Sequence, residues 1–154
     1  MMNRLLLFAS DISPAAPMLE AVFREIEAEA FAREQAKGQS GAWPQLNPQY
    51  RAWKEVHFPG RKILTRTGRL RDSLAGRTAD SVVEVSPRRV VFGSDVPYGH
   101  YHQVKVQGRK WRPPISLTDA QAARFQSVLQ RYYAAEINRL SPSRVSVRRA
   151  LVGA

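Results

Sequence analysis

Apolar residues near the start of the chain recur three or four positions apart, which is the spacing of one face of a helix. The pattern predicts an amphipathic helix that begins at Ser13-Pro14, with Ser13 as its cap, and extends to about Lys37. The predicted buried face consists of Met18, Leu19, Val22, Phe23, Ile26, Ala30 and Phe31. The predicted polar side consists of Glu20, Arg24, Glu25, Glu27, Glu29 and Glu34. A flexible loop is expected at Gly38-Gln39-Ser40-Gly41.

A second helical pattern lies near the end of the chain. Thr118 and Gln121 have the spacing of a capping box, in which each side chain bonds the backbone N–H of the other residue. The helix that follows should end by Ser141-Pro142. Its predicted apolar face consists of Phe125, Val128, Leu129, Tyr132, Ile137 and Leu140.

The segment between residues 43 and 60 predicts a short helix from Pro48 to about Val56, capped by Asn47. Tyr50, Trp53 and Val56 are its expected buried face, and the segment from His57 to Gly60 should end it. Trp43, which is followed by Pro44, and Trp53 are interpreted as core anchors rather than as contact residues. Trp111, between Lys110 and Arg112, is the better candidate for a contact residue.

From residue 81 the apolar period changes to two, which is typical of strands. Strands are predicted at 81–86 and 90–94, joined by a turn at Pro87-Arg88-Arg89, so that they form an antiparallel hairpin. The alternation from Tyr98 to Gln103 is interpreted as a continuation of the sheet, and 104–110 as a loop or short exposed hairpin. The predicted fold class is α+β, an antiparallel β-hairpin sheet packed with N-terminal and C-terminal amphipathic helices.

The segment from Ile63 to Leu74 predicts a packed corner with a basic rim. Gly68 can adopt the positive φ of a tight reversal, and Leu70 and Leu74 can share one face of a short helix that follows. Leu64 is also expected to point inward. Between residues 51 and 77 there are eight basic residues and two acidic ones.

The chain of 154 residues corresponds to a single domain, with 1–13 expected as an N-terminal arm and 141–154 as a C-terminal arm or disordered tail. The apolar run from Leu5 to Ala9 is shorter than the roughly 7–15 residues of a signal peptide, and no later stretch predicts a membrane span. The sequence has no cysteine, which excludes disulfides and thiolate metal sites. Its formal net charge of +11 indicates an acidic partner, either nucleic acid or an acidic protein surface.

Candidate chemistry is sparse. His100 and His102 would face the same side of a strand and could both bind zinc, with Asp95 or distant His57 as a third ligand. The alternative is that they are two polar residues on a strand surface. The carboxylates show no acid–base pair, and no serine lies in a nucleophile elbow, so we expect no enzyme, no cofactor and no metal.

Four segments in order resemble the phage virion morphogenesis family, which includes tail-completion proteins of contractile-tailed phages. More distantly, the chain is similar to neck and tail-completion proteins of long-tailed phages. The segments are Trp43-Pro44-Gln45-Leu46, the run 63–74, Pro97-Tyr98-Gly99-His100-Tyr101-His102-Gln103, and Arg112-Pro113-Pro114-Ile115-Ser116 with the helix that follows. The family usually has a glycine soon after the His-Gln step. Here four residues intervene before Gly108, so the exposed loop is expected to differ.

The resemblance implies a structural virion protein, assembled in the bacterial cytoplasm, that lies where the tail meets the head. Such proteins often form a homo-oligomeric ring of six that ends tail polymerisation or docks on the head connector. The implied partners are further copies of the chain, the tail tube protein and the head connector or neck protein, with DNA in the channel as another candidate and no membrane. The expected interface residues are Lys62, Arg66, Arg69 and Arg71, and on the loop surface Tyr98, His100, Tyr101 and Trp111.

Two questions about the charge remain open at this level. The basic region 51–77 could meet the acidic side of the first helix of a neighbouring copy, or it could face DNA. The alternative function is a basic nucleic-acid-binding module, in which Trp43, Trp53, Trp111, Tyr98 and Tyr101 would stack bases beside the arginines.

Overall fold

The structure is a computed structural model that describes residues 11–34 and 42–140. It confirms the α+β class, with a two-stranded antiparallel sheet packed against helices. After a 3₁₀ turn at Ser13–Ala15 the elements are α1 (Ala16–Arg33), α2 (Pro48–His57), α3 (Arg69–Ala75), β1 (Ser81–Ser86), β2 (Arg89–Ser94), α4 (Gly99–Gln103) and α5 (Asp119–Leu140). The predictions for 1–10, for the loop at 38–41 and for 141–154 lie outside the described residues. No described helix is both long and apolar enough to cross a membrane.

The hairpin has the predicted position and pairing. Its register runs from Ser81 opposite Ser94 to Ser86 opposite Arg89, so the turn has only two residues, Pro87 and Arg88. Arg89 therefore belongs to β2 and not to the turn. The backbone N–H of Ile12 donates to the Pro87 carbonyl at 2.8 Å, which fastens the start of the described chain to this turn.

Both ends of α1 differ from the prediction. Ser13 does not cap the helix; instead Oδ1 of Asp11 accepts hydrogen bonds from the Ser13 backbone N–H (2.8 Å) and hydroxyl (2.6 Å). These bonds also keep the pKa of Asp11 below its usual value. The helix ends at Arg33 rather than near Lys37, because Glu34 adopts a left-handed conformation with φ of 52°. A residue in that conformation terminates a helix by turning its N–H back onto the last carbonyls.

The core forms around α1, which contacts α3, β2 and α5. Phe23 stacks on Phe92 of β2 with ring centroids 5.3 Å apart, and Phe31 meets Trp43 edge-on at 5.4 Å. A second cluster joins Leu19 to Val128 of α5. The prediction that Trp43 is a core anchor is confirmed, and its indole N–H donates to the Pro113 carbonyl at 3.0 Å.

The corner before α3 forms as predicted. Gly68 has φ of 86° and precedes the helix, and Leu70 and Leu74 are both almost completely buried. Leu64 is only half-buried, and it also has a positive φ, of 60°. The guanidinium of Arg24 on α1 donates to the carbonyls of residues 73 and 74, which fixes α3 against α1.

The capping box of α5 is confirmed on both sides. The Gln121 N–H donates to the Thr118 hydroxyl at 3.1 Å, and the Thr118 N–H donates to Oε1 of Gln121 at 2.9 Å. The cap of α2 is also confirmed, because Oδ1 of Asn47 accepts from the Gln49 N–H at 2.9 Å. On the predicted apolar faces, however, Met18 of α1 and Ile137 of α5 are exposed.

The segment 98–103 does not continue the sheet. It forms the short helix α4, which begins after the Gly99 N–H donates back to the Val96 carbonyl at 2.8 Å. The segment 104–110 is a loop, one of the two predicted alternatives, with a turn at Gly108. In the described part of the chain the sheet therefore has only two strands, and each has an outer edge.

Candidate binding surface

The four predicted basic interface residues lie on and just before α3, but two of them form ion pairs within the chain. Arg69 makes two hydrogen bonds to Asp80, at 2.5 and 2.7 Å, and this contact keeps the pKa of Asp80 below its usual value. Arg71 pairs with neighbouring Asp72 at 2.6 Å. Arg66 instead lies over the Phe58 ring at 5.9 Å, so its positive charge is not matched there by a carboxylate.

Lys62 is also held without a carboxylate. Its ammonium donates to the Ala32 carbonyl at 2.6 Å, at the C-terminal end of α1. A carbonyl near a helix C-terminus is a favourable partner for a cation, because the helix dipole is negative there.

The four predicted loop residues lie immediately before α4, on α4 and in the segment after it. Tyr98 and Tyr101 are exposed, and the rings of His100 and Tyr101 are 3.9 Å apart. The indole N–H of Trp111 donates to the Gln103 carbonyl at 2.9 Å, which fixes the half-buried Trp111 against the end of α4. The ammonium of Lys105 lies 5.7 Å from the centre of the Trp111 ring.

The zinc hypothesis loses its geometric premise. His100 and His102 lie on a helix, where residues two apart point in directions about 200° apart, and not on one side of a strand. Burial lowers the pKa of His102, and the positive charges of Arg112 and Arg109 lower it further. Within residues 11–34 and 42–140 no three His, Cys, Asp or Glu side chains are grouped as metal ligands.

A groove of about 740 Å³ runs between α2 and the segment 98–112. We call it the basic groove. Among the described residues, its wall contains five cationic side chains and no carboxylate, together with tyrosine and leucine side chains. The lining residues are Leu46, Asn47, Tyr50, Lys54, Leu64, Arg66, Thr67, Tyr98, His102, Gly108, Arg109, Lys110 and Arg112.

Neutral oxygens hold several of the groove cations in place. Arg112 donates to the carbonyls of Pro44 (2.6 Å) and Gln45 (2.8 Å), and Lys110 donates to the Gln45 carbonyl at 2.9 Å. Burial lowers the pKa of Arg112. A carbonyl orients a cation without cancelling its charge, so the groove keeps its positive potential.

The face of α2 is the reverse of the prediction. Trp53 is 41% exposed and Val56 79% exposed, whereas Lys54 is buried. The Lys54 ammonium donates to the Lys62 carbonyl at 2.5 Å, and burial lowers the pKa of Lys54 against the opposing effect of Glu34 and nearby Glu55. Trp53 was therefore wrongly predicted as a core anchor.

The exposed side of α2 carries a row of rings, which we call the aromatic ridge: Tyr50, Trp53 and His57. Tyr50 stacks on Trp53 with centroids 5.6 Å apart, and Trp53 stacks on His57 at 4.6 Å. Large exposed rings beside an exposed Val56 are typical of a surface that another protein covers. The helical spacing of these residues does predict that they share one face of α2. Spacing alone does not say whether that face packs against the same chain or against another protein.

The acidic side of α1 is occupied within the molecule. Glu20 pairs with Arg24 (3.1 Å) and Arg77 (2.7 Å), and Arg124 of α5 pairs with Glu25 (2.5 Å) and Glu29 (3.5 Å). These pairs reduce the negative potential that α1 presents to a neighbouring copy. They weaken the case for a contact between this helix and the basic region 51–77.

Glu27 is not on the polar side of α1, as predicted, but is only 1% exposed. Its Oε2 has no hydrogen-bond partner among the described residues. Burial raises the pKa of Glu27 to about 8, so the side chain is mainly protonated at neutral pH.

Three comparisons with known proteins were made. The model of the phage virion morphogenesis family matches residues 1–134. Searches of curated proteins and of solved structures found no match.

Proposed function

Since this chain belongs to the phage virion morphogenesis family, we propose that it is a tail-completion or tail-terminator subunit that forms a ring at the head–tail junction. The family supports a structural role in virion assembly and a place in the virion, and such a role is not catalytic. In the proposed role, the ring caps the tail tube and docks on the head connector. The family match over residues 1–134 is the observation that carries this proposal.

The exposed surfaces suit a subunit that is completed by neighbours. A ring of identical subunits needs two different patches on each copy, which meet head to tail. The aromatic ridge on α2 is one candidate patch, because it exposes stacked rings that a soluble monomer would ordinarily cover. The outer edges of the hairpin are another, because an unpaired strand edge can bond to a strand of a second chain.

The test is to assemble phage particles in cells that lack this subunit and to supply it from a plasmid. The proposal expects heads and tails that fail to join, or tails of abnormal length, and restoration by the wild-type chain. The substitution Trp53→Ser on the aromatic ridge should fail to restore joining although the protein stays folded. Arg131→Gln, at an exposed position of α5 outside both candidate patches, is the control and should restore it. Normal infectious particles without the subunit would refute the proposal.

The second candidate is the nucleic-acid-binding module, and the positive charge of the basic groove is the observation behind it. It predicts affinity for duplex DNA that falls by about 0.9 log unit per log unit of salt for each phosphate neutralised. Electrophoretic mobility shifts of the purified protein at several salt concentrations measure this slope. Undetectable or salt-independent binding would remove this candidate and leave the first unaffected.

A further inference from the structure

The basic groove combines positive charge with an apolar wall, and this combination indicates the chemical class of its ligand. Within residues 11–34 and 42–140, five cations line it and no carboxylate does. Of these, Arg112 and Lys110 are held by carbonyl oxygens, and Arg66 lies over an aromatic ring. Among the described residues, Arg109 has no ion-pair partner.

We propose that the basic groove binds an acidic peptide segment of another protein, in which carboxylates flank a large apolar side chain. The carboxylates would reach Arg66 and Arg109, and the apolar side chain would pack on Leu46, Leu64 and Tyr50. Charge-assisted hydrogen bonds from arginine to carboxylate are stronger than neutral ones and are often bidentate. This inference rests on the proposed function in one respect only, namely that the partner is a neighbouring protein of the virion.

The chain itself does not provide a suitable segment. The stretches 1–10, 35–41 and 141–154 contain five basic residues and no acidic one, so their charge has the same sign as the groove. The five are Arg4, Lys37, Arg144, Arg148 and Arg149. Like charges oppose insertion of any of these stretches.

A second copy is also a poor source of carboxylates. Seven of the thirteen acidic side chains form ion pairs within the chain: Glu20, Glu25, Glu29, Asp72, Asp80, Glu84 and Glu136. Glu34 and Glu55 accept backbone N–H groups, Asp11 accepts from Ser13, and Glu27 is buried. Of the remaining two, Asp95 follows β2 and Asp119 begins α5, so they are far apart in the sequence and on different parts of the fold.

A protein segment fits the groove better than nucleic acid does. The phosphates of a duplex would meet the cations but would leave the leucine side chains of the wall without an apolar partner. Only one face of Tyr50 stacks on Trp53, at 5.6 Å, so stacking on Tyr50 does not separate a base from an apolar side chain. The leucine side chains of the wall are what favour an apolar side chain over a base or a phosphate.

The test uses the full-length protein and fluorescence anisotropy of a dye-labelled decapeptide made of alternating aspartate and leucine. Two control peptides carry asparagine in place of every aspartate, or serine in place of every leucine. The groove variant Arg66→Gln/Arg109→Gln is compared with Arg88→Gln/Arg131→Gln, which removes the same charge from exposed sites outside the groove. Circular dichroism checks that both variants melt like the wild type.

The proposal expects saturable binding of the acidic peptide, about tenfold or more weaker for the groove variant and within about twofold for the control variant. Both control peptides should bind about tenfold or more weakly, because one lacks the charge and the other the apolar side chain. Equal loss in the two variants would refute the groove as the site, because the binding would then follow net charge alone. No binding of the acidic peptide would also refute it.

Duplex and single-stranded oligonucleotides are used as competitors. Weak competition supports the proposal. The proposal is overturned in favour of nucleic acid by a different result. In that result an oligonucleotide binds more tightly than the peptide and displaces it, and the oligonucleotide loses this affinity for the groove variant. None of these results depends on ring formation or on a place in the virion, so failure here leaves the proposed function intact, and the reverse also holds.

Discussion

The buried carboxyl group of Glu27 should make the stability of this protein depend on pH in an unusual direction. Its pKa is raised from an ordinary 4.5 to about 8 in the folded state, because burial disfavours the charged form. Between these two values the folded state keeps a proton that the unfolded state has lost. Stability therefore falls as pH rises through this range, by about tenfold in the unfolding equilibrium constant per pH unit.

From pH 5 to pH 8 this single group removes about 4 kcal/mol of stability. The substitution Glu27→Gln keeps the shape of the side chain and removes its titration. We expect the variant to be close to the wild type at pH 5 and more stable by about 4 kcal/mol at pH 8. Urea unfolding followed by circular dichroism at pH 5, 6, 7 and 8 measures the difference, and common effects of other groups cancel between the two proteins.

The control is Glu84→Gln on β1, where the carboxylate is exposed and pairs with Arg89 at 3.6 Å. An exposed pair contributes little, so the control should stay within about 1 kcal/mol of the wild type at every pH. Parallel stability curves of the wild type and Glu27→Gln between pH 5 and 8 would refute the reasoning, because they would mean that the Glu27 carboxyl is solvated.

Three further predictions concern stability and use thermal or urea unfolding. Trp43→Ala should cost about 3–5 kcal/mol because Trp43 is buried, whereas Trp53→Ala should cost less than about 1 kcal/mol because Trp53 is on the exposed ridge; equal costs would contradict the placement of the two rings. Thr118→Ala should cost about 0.5–2 kcal/mol by removing the cap of α5, and no loss would show that the cap is dispensable. Gly76→Ala should destabilise clearly, because the added carbon would lie 2.8 Å from the Asp72 carbonyl oxygen. Gly93→Ala, with its nearest contact at 3.8 Å, should be tolerated, and the opposite order would be inconsistent with the packing.

The sequence predicts correctly those elements that have a single apolar face and pack that face inside the same chain. The hairpin, α5 with its capping box, and the Leu70–Leu74 face of α3 all follow this rule. α1 departs from it because its buried side meets α3 and the hairpin as well as α5. The buried face of α1 is therefore broad and includes Glu27, which lies one turn from both Phe23 and Phe31. Its charge had predicted a position on the solvent-facing side.

Two errors have different physical causes. The segment 98–103 was read as a strand because aromatic and polar residues alternate in it, and a five-residue helix is too short to show a helical period. On α2 the period was right but the direction was wrong. Lysine can bury its aliphatic stem and place its ammonium on a carbonyl, as Lys54 does on Lys62, and then the rings on the other side face outward.

The basic groove could be predicted only in part. Its cations were visible in the sequence as basic residues, and Arg66 and Tyr98 were named as interface residues. Their convergence was not visible, because Arg66 and Arg109 are separated by more than forty positions and meet only through the fold. The sequence also gave no sign that the acidic side of α1 would be paired with Arg77 and Arg124 from distant elements.

We propose above that this chain is a structural subunit at the end of a phage tail. Electron cryo-microscopy of purified particles tests it most directly, by fitting the described fold into the density between tail tube and head connector. A ring of copies is expected at that position, with the aromatic ridge in contact with neighbouring protein. Intact particles whose head–tail junction contains no density that fits this fold would contradict the claim.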